Sequence, residues 1–593
     1  MCGIHGIVYK KRDPGAGPIK KMLLTSIHRG PDFKSYISFA DHQFTIYLGH
    51  NLLKISDLSA NAHQPYSLHA ECGLTYNGQL YELPQDTETY PNDTSALYHW
   101  LRRYGATRLG VLKGMFAFGF VDVLQHKLIL ARDSAGMKPL YFAENDKCLI
   151  FSSEVKAILN SGLVDIGINY RQIAHYFAYK HAQPNATFIA GIHQLPPGSY
   201  LEYNWQKHEV SIQQFKVDAA PEITPNNNQT PDKILDAAIQ RHLKSAVPVG
   251  IMLSGGIDSS LLLHFAAKLT PDIPSYVIHT NNASAHAKTA IQLFGGQYRP
   301  IDVNNTTFTE AITLFPMDLP VADSAAWLTY ILCKAAKPES RVLLNGAGAD
   351  EHFAGYRRHL AWFWYLTLRK FGVNKLSGKV LQKLSRKDEL QKLARTLQMP
   401  PSRALAALPM MNAELLGLCK KEYRCIDAGT YFSNVPDFKQ ILAFDQRHYL
   451  PGDVLSLADQ AAMANSIEIR LPFLDSAVTG FADQLSSSSM LNPHALKAFG
   501  KLPLRNLLTQ KGGAQLLNAP KEGFGFDLRS WLLHPSSKPL LADLQQIHPV
   551  LSEIFEPNDM SKWLQHQKQQ GYPMAQEVFA CIIMQRWLQK VFN

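Results

Sequence analysis

The chain has 593 residues, of which 46% are hydrophobic and 18% charged, a balance that fills large cores and excludes a disordered chain. At about 100–200 residues per domain it is too long for one core, so two to four domains are expected. Lysine and arginine number 59 against 49 aspartates and glutamates, a formal net charge of +10, and no stretch reaches the ~18 consecutive apolar residues of a membrane span.

The apolar run after Met1 is short and is followed, not preceded, by Lys10, Lys11 and Arg12, unlike a secretory signal. Residues 1–205 read as β-rich. Phe116, Phe118 and Phe120 alternate with small residues, the period of a strand. Apolar runs at Lys127–Ala131 and Cys148–Phe151 are set off by turn-forming residues. Residues 217–232 (VDAAPEITPNNNQTPD), rich in proline, asparagine and acid, read as a linker. Val247–Leu253 is a continuous apolar run, followed by a glycine-rich loop and the helical pattern SLLLHFAAKL. Tyr276–His279, Pro300–Val303 and Arg341–Leu344 read as further strands, the first two separated by a helical stretch and the last ending at NGAGADE. Strands alternating with helices imply a parallel sheet with both faces covered. Beyond about residue 357 the chain reads mostly helical, and no internal repeat is present.

Between Arg357 and Arg395 eleven lysines and arginines face only Asp388 and Glu389, an excess of nine that accounts for nearly all of the imbalance. The same segment holds Trp362-Phe363-Trp364-Tyr365. Basic helices with aromatics touch anionic lipid, nucleic acid or an acidic substrate, but they are more often solvated inserts with a buried aromatic stripe. No nucleic-acid motif accompanies the segment. The seven cysteines (2, 72, 148, 333, 419, 425, 581) form no metal-like CxxC pair, which argues against a disulfide framework and fits a reducing cytoplasm. His175 with His181, and His279 with His286, match no zinc spacing and read as satisfied polar positions.

The chain begins Met1-Cys2-Gly3-Ile4. With Met1 removed, Cys2 carries both a thiol and an α-amine of reference pKa about 7.7–8.0, so one residue supplies nucleophile and base. A thiolate attacking a carboxamide needs donors for the resulting oxyanion; Asn77-Gly78 offers a side-chain amide and a backbone N–H. Cys2 is followed in order by His28-Arg29-Gly30-Pro31-Asp32, Tyr76-Asn77-Gly78, Asn92-Asp93, Gly114–Phe118, Arg132-Asp133 with Lys138–Tyr141, and Ser153-Glu154 with Lys156-Ala157. This series resembles the class II glutamine amidotransferase domain of asparagine synthetases. The resemblance implies an Ntn-hydrolase αββα sandwich over residues 2–216 that hydrolyses glutamine through Cys2, with Arg29, Asn77, Gly78 and Asp93 binding glutamine.

Ser254-Gly255-Gly256-Ile257-Asp258-Ser259-Ser260 follows a buried strand and opens a helix. Its glycines let backbone approach phosphate, the helix N-terminus favours the anion, and Asp258 can hold Mg²⁺. It lacks the GxxxxGK[ST] pattern. It resembles the PP-loop of enzymes that split ATP between the α and β phosphates. A second carboxylate, Asp350, follows Asn345-Gly346-Ala347-Gly348 after another strand, so Asp258 and Asp350 both lie at strand C-termini, where open α/β sheets bind ligands. Ala461–Asp475, Gly500–Arg505 and Lys521–Phe526 match the synthetase half of the same family. By that resemblance, residues 233–593 form an α/β ATP-pyrophosphatase domain with a parallel sheet and a helical C-terminal part. ATP would meet Leu253, Ser254, Gly255, Gly256, Asp258, Ser259, Ile278, Asn345, Gly346 and Asp350; Asp258 and Asp350 would hold Mg²⁺; and Lys521 would stabilise the adenylate and pyrophosphate.

The chain therefore resembles glutamine-hydrolysing asparagine synthetase, which adenylates a carboxylate and amidates it with ammonia led through an internal tunnel. There are four departures from the family, over six positions. Leu52 stands where an arginine meets the glutamine carboxylate; Gln79 replaces a glutamate, leaving Asp93 for the α-ammonium; Ala347 replaces a carboxylate proposed to manage the proton of ammonia; and Ala283-Ser284 and Leu457 replace an acidic pair and a lysine near nucleotide and substrate. Aspartate is the simplest acceptor, a sugar uronate or peptide carboxylate the alternative, and a degenerate nucleotide-binding regulator a third reading. A cytoplasmic enzyme with no nucleic-acid partner is expected, with a homodimer as a candidate assembly.

Overall fold

Alternation sets the first sandwich. In the computed structural model, which describes residues 2–10, 14–40, 44–82, 90–216, 230–279, 285–384, 388–411, 413–424, 436–495, 498–518 and 525–592, twelve N-terminal strands form two six-stranded sheets. The first has the order β12–β8–β9–β1–β3–β2 and the second β14–β13–β7–β6–β5–β4. The strands are β1 (Gly3–Tyr9), β2 (Phe33–Ala40), β3 (Thr45–Leu52), β4 (Tyr66–His69), β5 (Cys72–Glu82), β6 (Lys113–Asp122), β7 (Lys127–Arg132), β8 (Tyr141–Glu144) and β9 (Cys148–Ser152). A small ribbon, β10 (Gly167–Ile168) with β11 (Ile189–Ala190), precedes β12 (Ile192–Gln194), β13 (Ser199–Asn204) and β14 (Glu209–Gln214). All pairings in both large sheets are antiparallel.

Strand β6 shows why both of its faces are apolar. Phe116, Phe118 and Phe120 pack on Leu97, Tyr98 and Leu101 of helix α2 (Asp93–Tyr104), while Ala117 and Val121 point the other way, onto Ile4, Val8, Ile46 and Leu48 of the first sheet. Side chains two apart share a face, so one strand closes two cores at once. The outer face of the first sheet is covered by α1 (Gly17–Thr25) and α3 (Val155–Asn160), through Ile19, Met22, Val155 and Ile158 against Ile7, Tyr47 and Ile150. The layers run helix, sheet, sheet, helix, as the motifs implied.

The expected linker falls largely on residues outside the described set. Beyond it, a third sheet is parallel throughout, in the order β17–β16–β15–β18–β19. Its strands are β15 (Val249–Met252), β16 (Pro274–His279), β17 (Gln297–Asp302), β18 (Val342–Leu344) and β19 (Glu468–Arg470). Four match the apolar runs; β17 begins three residues earlier than its apolar end suggested. The fifth, β19, lies inside the stretch that reads as helical. Three residues are too few to show a period, and only pairing with β18 makes them a strand. Helix α4 (Ile257–Leu269) follows β15, α5 (Ala325–Ala336) lies on the sheet, and α6 (Arg357–Lys370), α7 (Asn374–Leu384) and α8 (Asp388–Leu397) make up most of the basic segment. Its aromatics are largely absorbed into the core: Trp362 and Tyr365 are buried and stack at 5.0 Å, and the Trp362 indole N–H donates to the Asp437 carbonyl. A π-helical stretch, Asp445–Val454, carries Pro451 and leads into α9 (Leu455–Met463). The six cysteines among the described residues are all unpaired and buried. No helix of the described residues is long and apolar enough to cross a membrane.

Candidate active sites

Cys2 precedes β1 and is buried against Leu52 and Ala62 in a small apolar cluster with Phe33 packed beside it. Burial pushes its thiol above the ordinary range, against a hydrogen bond from the Leu53 backbone. The Cys2 backbone nitrogen donates to Asn77 Oδ1 at 2.8 Å. That bond fixes the amide so that Asn77 Nδ2 is the free end, and Nδ2 is buried with no hydrogen-bond partner. A buried donor held without a partner beside a nucleophile is what an oxyanion hole requires. Gly78 follows on β5, where a Cβ would collide with the Met115 carbonyl on β6, so only glycine fits. Asp93 Oδ2 accepts from Tyr76 Oη at 3.0 Å and from the Leu80 N–H at 3.1 Å; burial outweighs these bonds and raises its pKa.

Two departures acquire a physical meaning. Leu52 is part of the wall against Cys2, so the position of the family's arginine is apolar. Gln79 is turned to the Ser56 hydroxyl and, at 3.5 Å, to Arg470 of β19.

Arg29, expected to bind glutamine, is committed elsewhere. It is 1% exposed; Nη1 and Nη2 donate to Asp459 on α9 at 2.8 and 3.0 Å, and Nε donates to the Cys2 carbonyl at 3.2 Å. Glu154 lies 3.6 Å away and takes His28 and Ser26 as further partners. Burial opposes the charge, but the two carboxylates hold the guanidinium pKa above its usual range. The motif series is thus partly architectural. The Arg132 guanidinium binds the carbonyls of Gly136, Lys138 and Leu195, and Asp133 accepts from the backbones of Phe116, Ala135, Met137 and Lys138.

Arg29–Asp459 is one of several ties between the sandwich and the parallel-sheet part. Arg341 pairs with Asp32 at 2.7 Å, and Asp318 accepts both first-turn N–H groups of α3, from Val155 and Lys156, at 2.8 Å. Between them lies a void of about 10 Å³, the space of one water-sized molecule. Arg29, Ser153 and Glu154 line one side; Ser456, Asp459 and Gln460 of α9 line the other. The neighbouring residues of α9, Leu457 and Ala458, line a second, far larger cavity of about 840 Å³. One helix therefore walls both.

The large cavity holds the second site. Gly255 has a φ of +75°, and a Cβ there would strike the Ala287 backbone, so glycine alone makes this turn. Ser254, Gly256, Asp258, Ser259, Asn345, Gly346, Ala347 and Asp350 line the same space at the C-terminal ends of β15 and β18. Leu253 and Ile278 are buried in the sheet, with Leu253 held by its N–H on the Tyr276 carbonyl at 2.9 Å. Lys521 and Ala283-Ser284 lie outside the described residues.

One group was not among the residues singled out. Lys501 Nζ sits between the two aspartates, 2.6 Å from Asp258 Oδ2 and 2.8 Å from Asp350 Oδ1. Burial disfavours its charge, but the two carboxylates raise its pKa above the ordinary range. Its backbone is left-handed (φ +58°), and Gly355 leaves the space that its stem and Asp350 occupy. The motif Gly500–Arg505 contained the signal; a lone lysine there could not be told from a surface one until the chain folded. Four residues beyond Ala347, Glu351 is buried on the same cavity, and Tyr356 Oη donates to it at 2.6 Å. Burial and Asp350 push Glu351 up to about 7. Among the described residues no group of three or more His, Cys, Asp or Glu side chains is placed to hold a metal ion.

Residues 1–216 match the family described as glutamine amidotransferase domain, and residues 231–589 match the family described as asparagine synthase. Asparagine synthetase [glutamine-hydrolyzing] 1 of Bacillus subtilis (strain 168) is 27% identical, over 90% of this chain and 88% of its own. A putative asparagine synthetase [glutamine-hydrolyzing] of Mycobacterium tuberculosis (strain ATCC 25618 / H37Rv) is 28% identical with the same coverage. Amidase chyE of Penicillium rubens is 27% identical over 56% of this chain and 53% of its own. A buried cysteine beside an orphaned amide, a glycine-turned loop at the ends of parallel strands, and a family match spanning each half lead to one conclusion: the chain belongs to the asparagine synthase family and carries an N-terminal glutamine amidotransferase domain.

Proposed function

We propose that the chain makes an amide from a carboxylate, ATP and glutamine, releasing AMP, pyrophosphate and glutamate. The observation that carries this reading is the shared wall: α9 presents Ser456, Asp459 and Gln460 to the void lined by Arg29, whose Nε holds the Cys2 carbonyl, and Leu457 and Ala458 to the large cavity. Ammonia set free into water near neutral pH is protonated and loses its nucleophilic lone pair, so a sheltered path between the two sites is what the chemistry requires.

In the first site Cys2, with its α-amine exposed once Met1 is removed, attacks the glutamine carboxamide. The amine takes the thiol proton, which burial would otherwise hold in place, and Asn77 Nδ2 with the Gly78 N–H meets the oxyanion. Asp93 meets the α-ammonium. Ammonia leaves, and water releases glutamate from the thioester. In the second site the acceptor carboxylate attacks the α-phosphorus of ATP and pyrophosphate departs. Ammonia then attacks the acyl carbon, AMP leaves, and the nitrogen gives up a proton. The SGGIDS turn and the Lys501 ammonium receive the phosphates, and Lys521 is the cation expected at the leaving group.

Asp258 and Asp350 suit Mg²⁺, which takes one or two carboxylates and completes its shell with phosphate and water; a bound Mg²⁺ neutralises charge on the pyrophosphate. The fit rests on two adjacent carboxylates at strand ends that already share one cation, Lys501.

Aspartate is the simplest acceptor. The second reading, a larger carboxylate such as a sugar uronate or a peptide side chain, is favoured by Leu457, whose apolar side chain lines the cavity where the family places a lysine. Pyrophosphate release measured across a panel of carboxylates separates the two. Cys2→Ala should abolish glutamine-dependent turnover and spare turnover with ammonia; loss of both would refute separate sites, and intact Met1 in a mass spectrum of active protein would remove the proposed base.

A further inference from the structure

Helix α7 exposes an apolar row beside a basic row. Leu376, Val380 and Leu384 recur every four residues and are 65%, 47% and 80% exposed. At about 100° per residue a four-residue step turns only about 40°, so they form one stripe along the helix. Lys375, Lys379 and Lys383 repeat the spacing one position earlier, all exposed, and Lys370 and Phe371 (72% exposed) lead into the helix. The opposite face is fixed by packing: a Cβ on Gly378 would lie 2.7 Å from the Ala394 carbonyl and 3.1 Å from Leu397 Cβ, so α8 sits tightly against it. From residue 369 to 387 the sequence has seven lysines and arginines and no aspartate or glutamate.

We propose that this hairpin docks the chain on an anionic phospholipid surface. Phe371, Leu376, Val380 and Leu384 enter the boundary between headgroups and acyl chains, and the lysines reach the phosphates alongside. Charge complementarity favours this occupant. Lysine stems lie along apolar surface while their ammonium groups stay at the polar layer. The row is a ridge on a single helix rather than a groove, and a ridge suits a planar, yielding surface. A second copy would set like rows of lysine against each other, which is unfavourable. Four apolar side chains alone hold weakly, as do a few lysines; the two together give reversible attachment. The inference is independent of the acceptor and of the reaction.

The test is flotation of the full chain with vesicles of phosphatidylcholine, with and without phosphatidylglycerol. Binding is expected only with phosphatidylglycerol and should fall as salt is raised. The triple variant Lys375→Gln, Lys379→Gln, Lys383→Gln should weaken it about a hundredfold. Leu376→Ser, Val380→Ser, Leu384→Ser should weaken it as far while leaving thermal unfolding and pyrophosphate release unchanged. Absence of binding to anionic vesicles at low salt overturns the proposal. So does equal binding to neutral vesicles, or binding that survives both variants. A lowered melting temperature in the serine variant would mean that the row is covered within the chain, and loss of self-association in it would mean that the row covers a second copy; either result also overturns the proposal.

Discussion

Replacing Arg29 by methionine separates two roles for the same side chain. The guanidinium makes two charge-assisted bonds to Asp459 and one to the Cys2 carbonyl, with both charged partners almost wholly buried. Methionine fills much of the volume and leaves Asp459 charged and without its main partner. Breaking a buried pair in this way costs about 3–5 kcal/mol, enough to loosen the contact between the two parts of the chain before either unfolds. Asp459→Asn in the same background removes the stranded charge, so the double variant should recover part of the loss, with a coupling of about 0.5–3 kcal/mol. The assay is denaturant unfolding of the four proteins together with the ratio of glutamate formed to pyrophosphate released. A clamp predicts lower stability and a ratio that rises, because ammonia escapes before it is used. If Arg29→Met instead raises only the KM for glutamine, with stability and the ratio unchanged, the clamp is wrong and the side chain binds glutamine, as its motif implied.

Acid should destabilise the protein well above the carboxylate range. Burial lowers His5, His175, His242 and His352 from their ordinary 6.5 to about 4. Between those pH values the unfolded chain takes up protons that the folded chain refuses, so stability falls as pH falls; His5 alone contributes a loss of about 3 kcal/mol by pH 4, which chemical denaturation from pH 7 to 4.5 would detect. A flat profile there contradicts neutral buried imidazoles. Lys501→Met leaves Asp258 and Asp350 facing each other without their shared cation. It should lower the melting temperature, slow pyrophosphate release at least about tenfold, and respond more strongly than the parent to added Mg²⁺ in a thermal-shift assay.

Local sequence determined a great deal. The β6 phenylalanines, the apolar run of β15 and the glycines at 78 and 255 fix strands and turns because period and missing side chains act over a few residues. Cys2, Asn77, Asp258 and Asp350 were readable as chemistry because their motifs are short and continuous. What tertiary structure decided is everything that needs two distant segments to meet. Arg29 finds Asp459 across 430 residues, Lys501 reaches Asp258 across 243, and three residues become β19 only beside β18. The orphaned amide of Asn77 and the two faces of α9 belong to the same class. A side chain's partner is set by packing of the whole chain, and the energy of a charge depends on that partner and on its burial, neither of which a local pattern records.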